Sequence, residues 1–386
     1  MSVQEYLENF GEIQSAFLNY IDENNDSENF QNLKNIFDDL TNRHNPHELK
    51  SLLNLISNIS NHHRRASHFF DKIEQILLIL KDEIKKDFSN SEIFNIFKGN
   101  KRILLFLIKE QIIAITKSIE FDIQNTKFKN AFYQEYFSTE IYSPFEKDLP
   151  ENFEEKRKNG ENEGSIYEFI RNDSINEFII HVNKTIFPLT KKIETSMFET
   201  NSFLIKNKPT LIEYAAFFGS IQIFKYLLLN KIELTPSLWL FAIHGNNPEM
   251  IHLLEERHVI PKSYKECLKE AIKCHHNEIA SYIHDYLLPD DEDNSLFVLR
   301  KSLESYNFSF IEIELINESI FYELCKYDYY TLVDILLKTN VVDINKICPD
   351  TIFIFNCLNG IFFLMILIKQ LFMLLLKKVI WTLLIF

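Results

Sequence analysis

Cys267, Cys274, His275 and His276 are the chain's best lead to a metal. Structural zinc takes thiolate and imidazole donors, usually as tight pairs that converge on a tetrahedron. Here the cysteines stand seven residues apart. They can share a helix face, but both histidines then fall in a turn, and no metal is expected from that spacing. His62-His63-Arg64-Arg65 is the only obvious basic run; neither histidine has a partner at i+4, and the run reads as a solvated helix surface. Pro289 to Asn294 (PDDEDN) gathers carboxylates without the regular spacing or the glycine of an EF-hand loop, so it reads as a solvated acidic loop. No glycine-rich loop follows a strand-like segment, and no G-x-S-x-G elbow or H-E-x-x-H helix occurs. Neither catalysis nor a cofactor is expected.

The elements that position these residues read as helices throughout. Val3, Tyr6, Leu7, Phe10, Ile13, Phe17 and Ile21 recur at three- and four-residue intervals and form one apolar stripe. Phe30, Leu33, Phe37 and Leu40 repeat the pattern. Asn45-Pro46-His47-Glu48 has the chemistry of a helix start: a capping side chain, proline at the first helical position and a glutamate able to reach back. Ser89-Asn90-Ser91-Glu92 is a capping-box candidate ahead of Ile93, Phe94 and Phe97. From Lys147 to Gly164 the periodicity stops; the stretch is charged, carries Pro150, Gly160 and Gly164, and is expected to be an exposed linker.

Beyond that stretch one pattern recurs. Thr210-Leu211-Ile212-Glu213-Tyr214-Ala215-Ala216-Phe217-Phe218-Gly219 precedes Ile223, Phe224, Leu227 and Leu228. Ala242 and Ile243 precede Asn247 to Leu254 in the same frame. Ala271 and Ile272 precede His276 to Ile279 and then Tyr282-Ile283. Leu324 and Cys325 precede Thr331 to Leu337, which runs on to Val342-Asp343-Ile344-Asn345. Weaker copies lie around Ile96 to Ile108 and Phe169 to Val182. The first segment resembles the ankyrin signature T-P-L-H-x-A-A-x-x-G, and the last resembles the ankyrin A-D-V-N loop. The chain resembles ankyrin-repeat proteins, and more closely a divergent ankyrin-like domain of unknown function expanded in some parasitic protists. Leu211 stands for the usual proline and Glu213 for histidine, while Asn246, His275 and Asp328 stand where glycine is usual. The clear copies are spaced by 27, 29 and 53 residues, so the last interval implies an insertion or a decayed copy.

The resemblance implies an all-α fold, a helical-hairpin solenoid preceded by an N-terminal helical region. The expected divisions are a helical region over 1–146 with a degenerate repeat near 89–112, a linker over 147–164, a repeat domain over 165–345 and an apolar tail over 346–386. Small residues at Ala215, Ala242 and Ala271 let neighbouring first helices approach. The implied function is a non-catalytic scaffold for other proteins. Inner-helix positions and loop tips would make the contacts: Tyr214, Phe217, Phe218, Phe241, His244, Lys273, Lys326 and Tyr327. The alternative for Phe217 and Phe218 is packing against an adjacent helix.

A formal charge of -14 and a pI near 5.4 argue against a general nucleic-acid footprint. The five cysteines are odd in number, which suits free thiols in a reducing compartment better than a disulfide framework. The abundance of Phe, Tyr, Asn, Ile and Lys is that of A/T-rich codons, under which glycine and alanine landmarks drift. Met1 to Glu8 has no secretory character, so a cytoplasmic location is expected. The alternative is membrane association through residues 351–386. Ile361 to Leu376 is short for a span and contains Lys369 and Gln370. Suitable A/T-rich codons for Leu364 to Ile380, read one nucleotide earlier, spell D-D-I-D-Q-T-A-L-H-V-A-V-E-K-G-N. A frame shift after about Asn345 would therefore account for the tail.

Overall fold

Short-range hydrogen bonds set where the helices begin. In a computed structural model that describes residues 1–22, 26–65, 68–124, 132–133, 136, 151–289, 292–317 and 319–339, Asn45 accepts a bond from the His47 amide and Pro46 opens the helix. Ser89 and Glu92 close a reciprocal capping box, as do Thr210 and Glu213. Asn247 and Ser263 cap the helices that follow them. Each such cap satisfies amides that the first helical turn leaves open.

The N-terminal helices are α1 (Val3–Asp22), α2 (Asp26–Asn42), α3 (Pro46–His62), α4 (Phe69–Ile79), α5 (Lys81–Asp87), α6 (Asn90–Phe97), α7 (Lys101–Lys109) and α8 (Lys117–Gln124). Next come α9 (Phe153–Asn159), α10 (Ser165–Arg171), α11 (Ile175–Thr185), α12 (Ser202–Asn207), α13 (Leu211–Phe218), α14 (Ile221–Leu229), α15 (Leu238–Gly245) and α16 (Pro248–Glu256). The last are α17 (Tyr264–Lys273), α18 (Asn277–Tyr282), α19 (Glu292–Ser305), α20 (Phe321–Lys326) and α21 (Tyr330–Thr339). The fold is all-α; among the described residues extended pairing is limited to one isolated bridge, Lys192 to Thr210.

From α10 onward, with α12 and α19 the exceptions, the helices come in pairs, and α10 packs on α13, α13 on α15, α15 on α17, α17 on α19 and α19 on α20. Each pair, like the end of α19, turns through one left-handed residue: Asp173, Gly219, Asn246, His275, Tyr306 and Asp328. In five of these turns the next amide bonds the carbonyl five residues back, as Ser220 does to Ala215 at 2.9 Å and His276 to Ala271 at 3.1 Å. That bond closes the first helix. Asn246, His275 and Asp328, the glycine stand-ins of the sequence reading, thus occupy the backbone region that glycine favours. Asn, Asp and His enter it more readily than other side chains.

The turns also bond to one another. Asn247 Nδ2 donates to the Gly219 carbonyl at 3.2 Å, His276 Nδ1 to the Ile243 carbonyl at 2.7 Å, and Asn307 Nδ2 to the Ile272 carbonyl at 2.9 Å. Ser220 donates to the Ile170 carbonyl in the same way. Asn100, between α6 and α7, donates to the Ser60 carbonyl at 2.8 Å. Within the 53-residue interval α19 runs into a turn at Tyr306-Asn307, followed by two 3₁₀ turns (Phe308–Phe310, Ile313–Leu315).

Two apolar cores result. One joins residues of α10 to α18, from Ile166 to Ile283, with Val298 of α19; the other joins α1 to α8 with residues from Leu299 to Leu336. The last helices thus pack against the beginning of the chain, with α21 on α1 and α3. Gln14 Nε2 donates to Asn307 Oδ1 at 2.9 Å, and Gln14 Oε1 accepts from the Phe308 amide at 2.6 Å.

The expectation of an exposed linker over 147–164 is corrected for its described part, 151–164. Residues Phe153–Asn159 are helical, and Phe153, Arg157 and Asn162 are buried. Arg157 donates to the Phe132 carbonyl at 2.9 Å and pairs with Glu154, so its charge goes under cover with partners. The expected tail, with its membrane anchor or frame shift, and the Val342 to Asn345 loop lie outside the described residues. Among the described residues no helix is long and apolar enough to cross a membrane.

Candidate functional site

The eight residues expected to face a partner separate into two groups. Tyr214, Phe217, Phe241 and His244 are buried, Phe218, Lys273 and Tyr327 are half-buried, and Lys326 is exposed. The buried four are removed from the candidate contact surface: α12 lies across Phe217, Phe241 and His244, and α10 packs against Tyr214 through Tyr167 and Arg171. The Phe203 ring of α12 sits 4.2 Å from His244, 4.9 Å from Phe241 and 6.1 Å from Phe217, between ring centroids. Phe217 in turn stacks on His244 at 4.9 Å, so the adjacent-helix alternative describes it. Tyr214 accepts from Arg171 Nη1 at 3.1 Å, and burial pushes its hydroxyl pKa up. Lys326 lies over the Tyr327 ring, 4.6 Å from its centroid.

What the fold gathers instead is a polar cluster where the ends of α3, α15 and α17 meet. His244 comes from α15; Glu270 and Cys274 lie one helical turn apart on α17 and at its end. His244 Nε2 is 2.9 Å from Glu270 Oε1, and its ring presents Nδ1 and Nε2 to Cys274 Sγ at 3.4 and 3.8 Å. Lys273 Nζ reaches Glu270 Oε1 at 3.0 Å. Burial by itself raises the Glu270 carboxyl; the His244 hydrogen bond, the His244 charge and Lys273 outweigh it and hold the group far below the usual carboxylate range. Burial pushes the Cys274 thiol well up. Cys267, also buried, is pushed up to about 12 by burial and then by Glu266 and Glu270.

Four further histidines close the cluster. His63, at the end of α3, bonds the Cys274 carbonyl through Nδ1 at 2.7 Å and the Asp22 carboxylate through Nε2 at 3.0 Å. Its ring lies 4.9 Å from that of His276. Burial, then the His63 charge, lowers His275 to about 3 and His276 well below the usual range. His62 is also held well down, first by burial and then by Lys273. His62 Nδ1, His275 Nδ1 and His276 Nε2 are enclosed and make no hydrogen bond.

Sulfur, imidazole and carboxylate stand here in the order of a nucleophile, its base and the group that orients the base. Cys274 is 0 % exposed and His244 1 %, so a substrate has no approach to the sulfur. His244 was singled out from the sequence in another role, and Glu270 was not singled out. The only local signal was the four-residue step from Glu270 to Cys274. No family model, curated protein or solved structure matches the chain.

Proposed function

We propose that this chain is a non-catalytic protein-binding scaffold built as a divergent helical-hairpin solenoid of the ankyrin type. The observation that supports the reading is the repeated unit itself: a first helix, a left-handed turn residue, a second helix, and a turn side chain bonded to the preceding turn. Such arrays bury each unit only against its neighbours and present long surfaces made of equivalent positions. The enclosed sulfur of Cys274 favours binding over catalysis.

The contact edge in this reading is the one opposite the turns, where each pair connects to the next. The turn edge is covered by the N-terminal helices through His63 and Gln14. At the connection edge, at or just beyond the ends of successive second helices, Ile186 (87 % exposed), Leu229 (82 %), Ile260 (69 %) and Tyr286 (77 %) stand in solvent, and Ile180 of α11 is exposed as well (65 %). Single exposed apolar residues are ordinary, but a recurrence after each successive pair suits an interface. Affinity capture with the full chain should recover a protein that the combined variant Leu229→Ser, Ile260→Ser, Tyr286→Ser does not. The variant should melt with the parent, since these side chains face water. Recovery of the same proteins by both chains would overturn the assignment of this edge.

A further inference from the structure

We propose that His244, Glu270 and Cys274 form a structural zinc(II) site that ties α15 to α17, with His62 at the end of α3 as the fourth donor. The three donor types are those that zinc takes in proteins, and a thiolate with an imidazole excludes calcium and magnesium, which prefer oxygen. One donor atom from each of the three lies within 4.8 Å of the others. Only His244 Nε2 faces both partners, at 2.9 Å from Glu270 and 3.8 Å from Cys274. Zinc bonds of about 2.0–2.3 Å in a tetrahedron set donors roughly 3.3–3.8 Å apart, so side-chain shifts on the order of an ångström or less bring the three donors to that spacing.

The surroundings complete the case. His62 Nδ1 is enclosed without a hydrogen-bond partner, and the adjacent His63 bonds the Cys274 carbonyl at 2.7 Å, which sets the end of α3 against the cluster. An enclosed nitrogen lone pair that bonds nothing is costly in a folded protein unless an ion or a water occupies it. Lys273 now neutralises Glu270; its side chain is 28 % exposed and can turn to water when the dication takes its place. Binding exchanges two protons for zinc: the Cys274 S–H bond and the His244 Nε2–H bond that faces Glu270 break, Zn–S and Zn–N bonds form, and both protons pass to solvent with no change of oxidation state. Every donor is at or near the buried end of its helix, with no open position for a substrate, which makes the site structural rather than catalytic.

The test uses the full chain, freed of metal and titrated with cobalt(II) as an optical stand-in for zinc. One equivalent should bind and give a thiolate-to-cobalt charge-transfer band with the intense visible bands of a tetrahedral ion; zinc should then displace it. Cys274→Ser should abolish the charge-transfer band. Cys267→Ser, two turns earlier on α17, should keep it. Glu270→Gln and His62→Ala should each weaken zinc binding by about tenfold or more, the scale on which metal sites respond even to loss of a supporting group. A folded parent chain that gives no cobalt absorbance overturns the site. So does a band that survives in Cys274→Ser, because the thiolate would then come from another cysteine. If Cys274→Ser fails to fold, as judged by helical circular dichroism, Glu270→Gln and His62→Ala decide: unchanged affinity in both overturns the assignment.

Discussion

Gly245 shows how far a single atom matters in this stack. It ends α15 against the preceding turn, and a Cβ added there would lie 2.3 Å from the Ala216 carbonyl oxygen and 3.0 Å from the Gly219 amide nitrogen. Both are backbone atoms, fixed by the helix ends they belong to, so the neighbours cannot yield as a flexible side chain would. Gly245→Ala should lower stability by at least about 1–3 kcal/mol, the usual cost of overpacking. Gly11, in α1, has no atom within 4 Å of the same added Cβ. There Gly11→Ala should raise stability by up to about 1 kcal/mol, because alanine loses less entropy in a helix. Urea midpoints of the two variants check the pair: the shifts should have opposite signs. The same substitution separates backbone contact from helix propensity.

At the scale of elements, the contact between one first helix and the next is set by small residues. Ala215 on α13 and Ala242 on α15 are both 0 % exposed and lie in one apolar core. A carboxylate at either place has no cation placed to receive it, so Ala215→Asp and Ala242→Asp should each cost roughly 3 kcal/mol or more. Thermal melts of both variants should fall well below the parent. Melts equal to the parent would mean that these alanines do not hold the helices together. The helix Phe153–Asn159 teaches the converse about polar stretches. Its charges suggest water, yet Arg157 is 1 % exposed because the Phe132 carbonyl and Glu154 receive it. A charged sequence is therefore no proof of a solvated segment where partners lie far away in the chain.

Across the whole molecule, the two apolar cores cut the chain differently from its sequence composition. The last helices, α19 to α21, share a core with α1 to α8, while α10 to α18 form the other. Gln14 of α1 bridges to the turn after α19, bonding Asn307 and Phe308. Cooperative opening follows shared cores rather than sequence neighbourhood. Hydrogen exchange should therefore give α20 and α21 the protection of α1 and α3, distinct from that of α13 to α16. If α20 and α21 instead exchange in step with α17 and α18, the repeat array opens as one unit and the shared core does not govern it.

The sequence by itself determined what hydrogen bonds between near neighbours decide. The caps at Asn45 and Ser89 are such features, as are the helical stripes of α1 and α2 and the turn positions at Asn246, His275 and Asp328. Each depends on groups within about five residues, so type and spacing suffice to read it. The turn at Tyr306-Asn307 was not legible because 3₁₀ turns follow it, and these carry no helical period. Only the tertiary structure decided that α12 covers Phe217 and His244, that Arg157 is buried, and that His244, Glu270 and Cys274 meet beside the end of α3. Those contacts join residues tens to hundreds of positions apart. Side-chain type states what such residues can bond, but the packing of whole helices selects which of them come within reach.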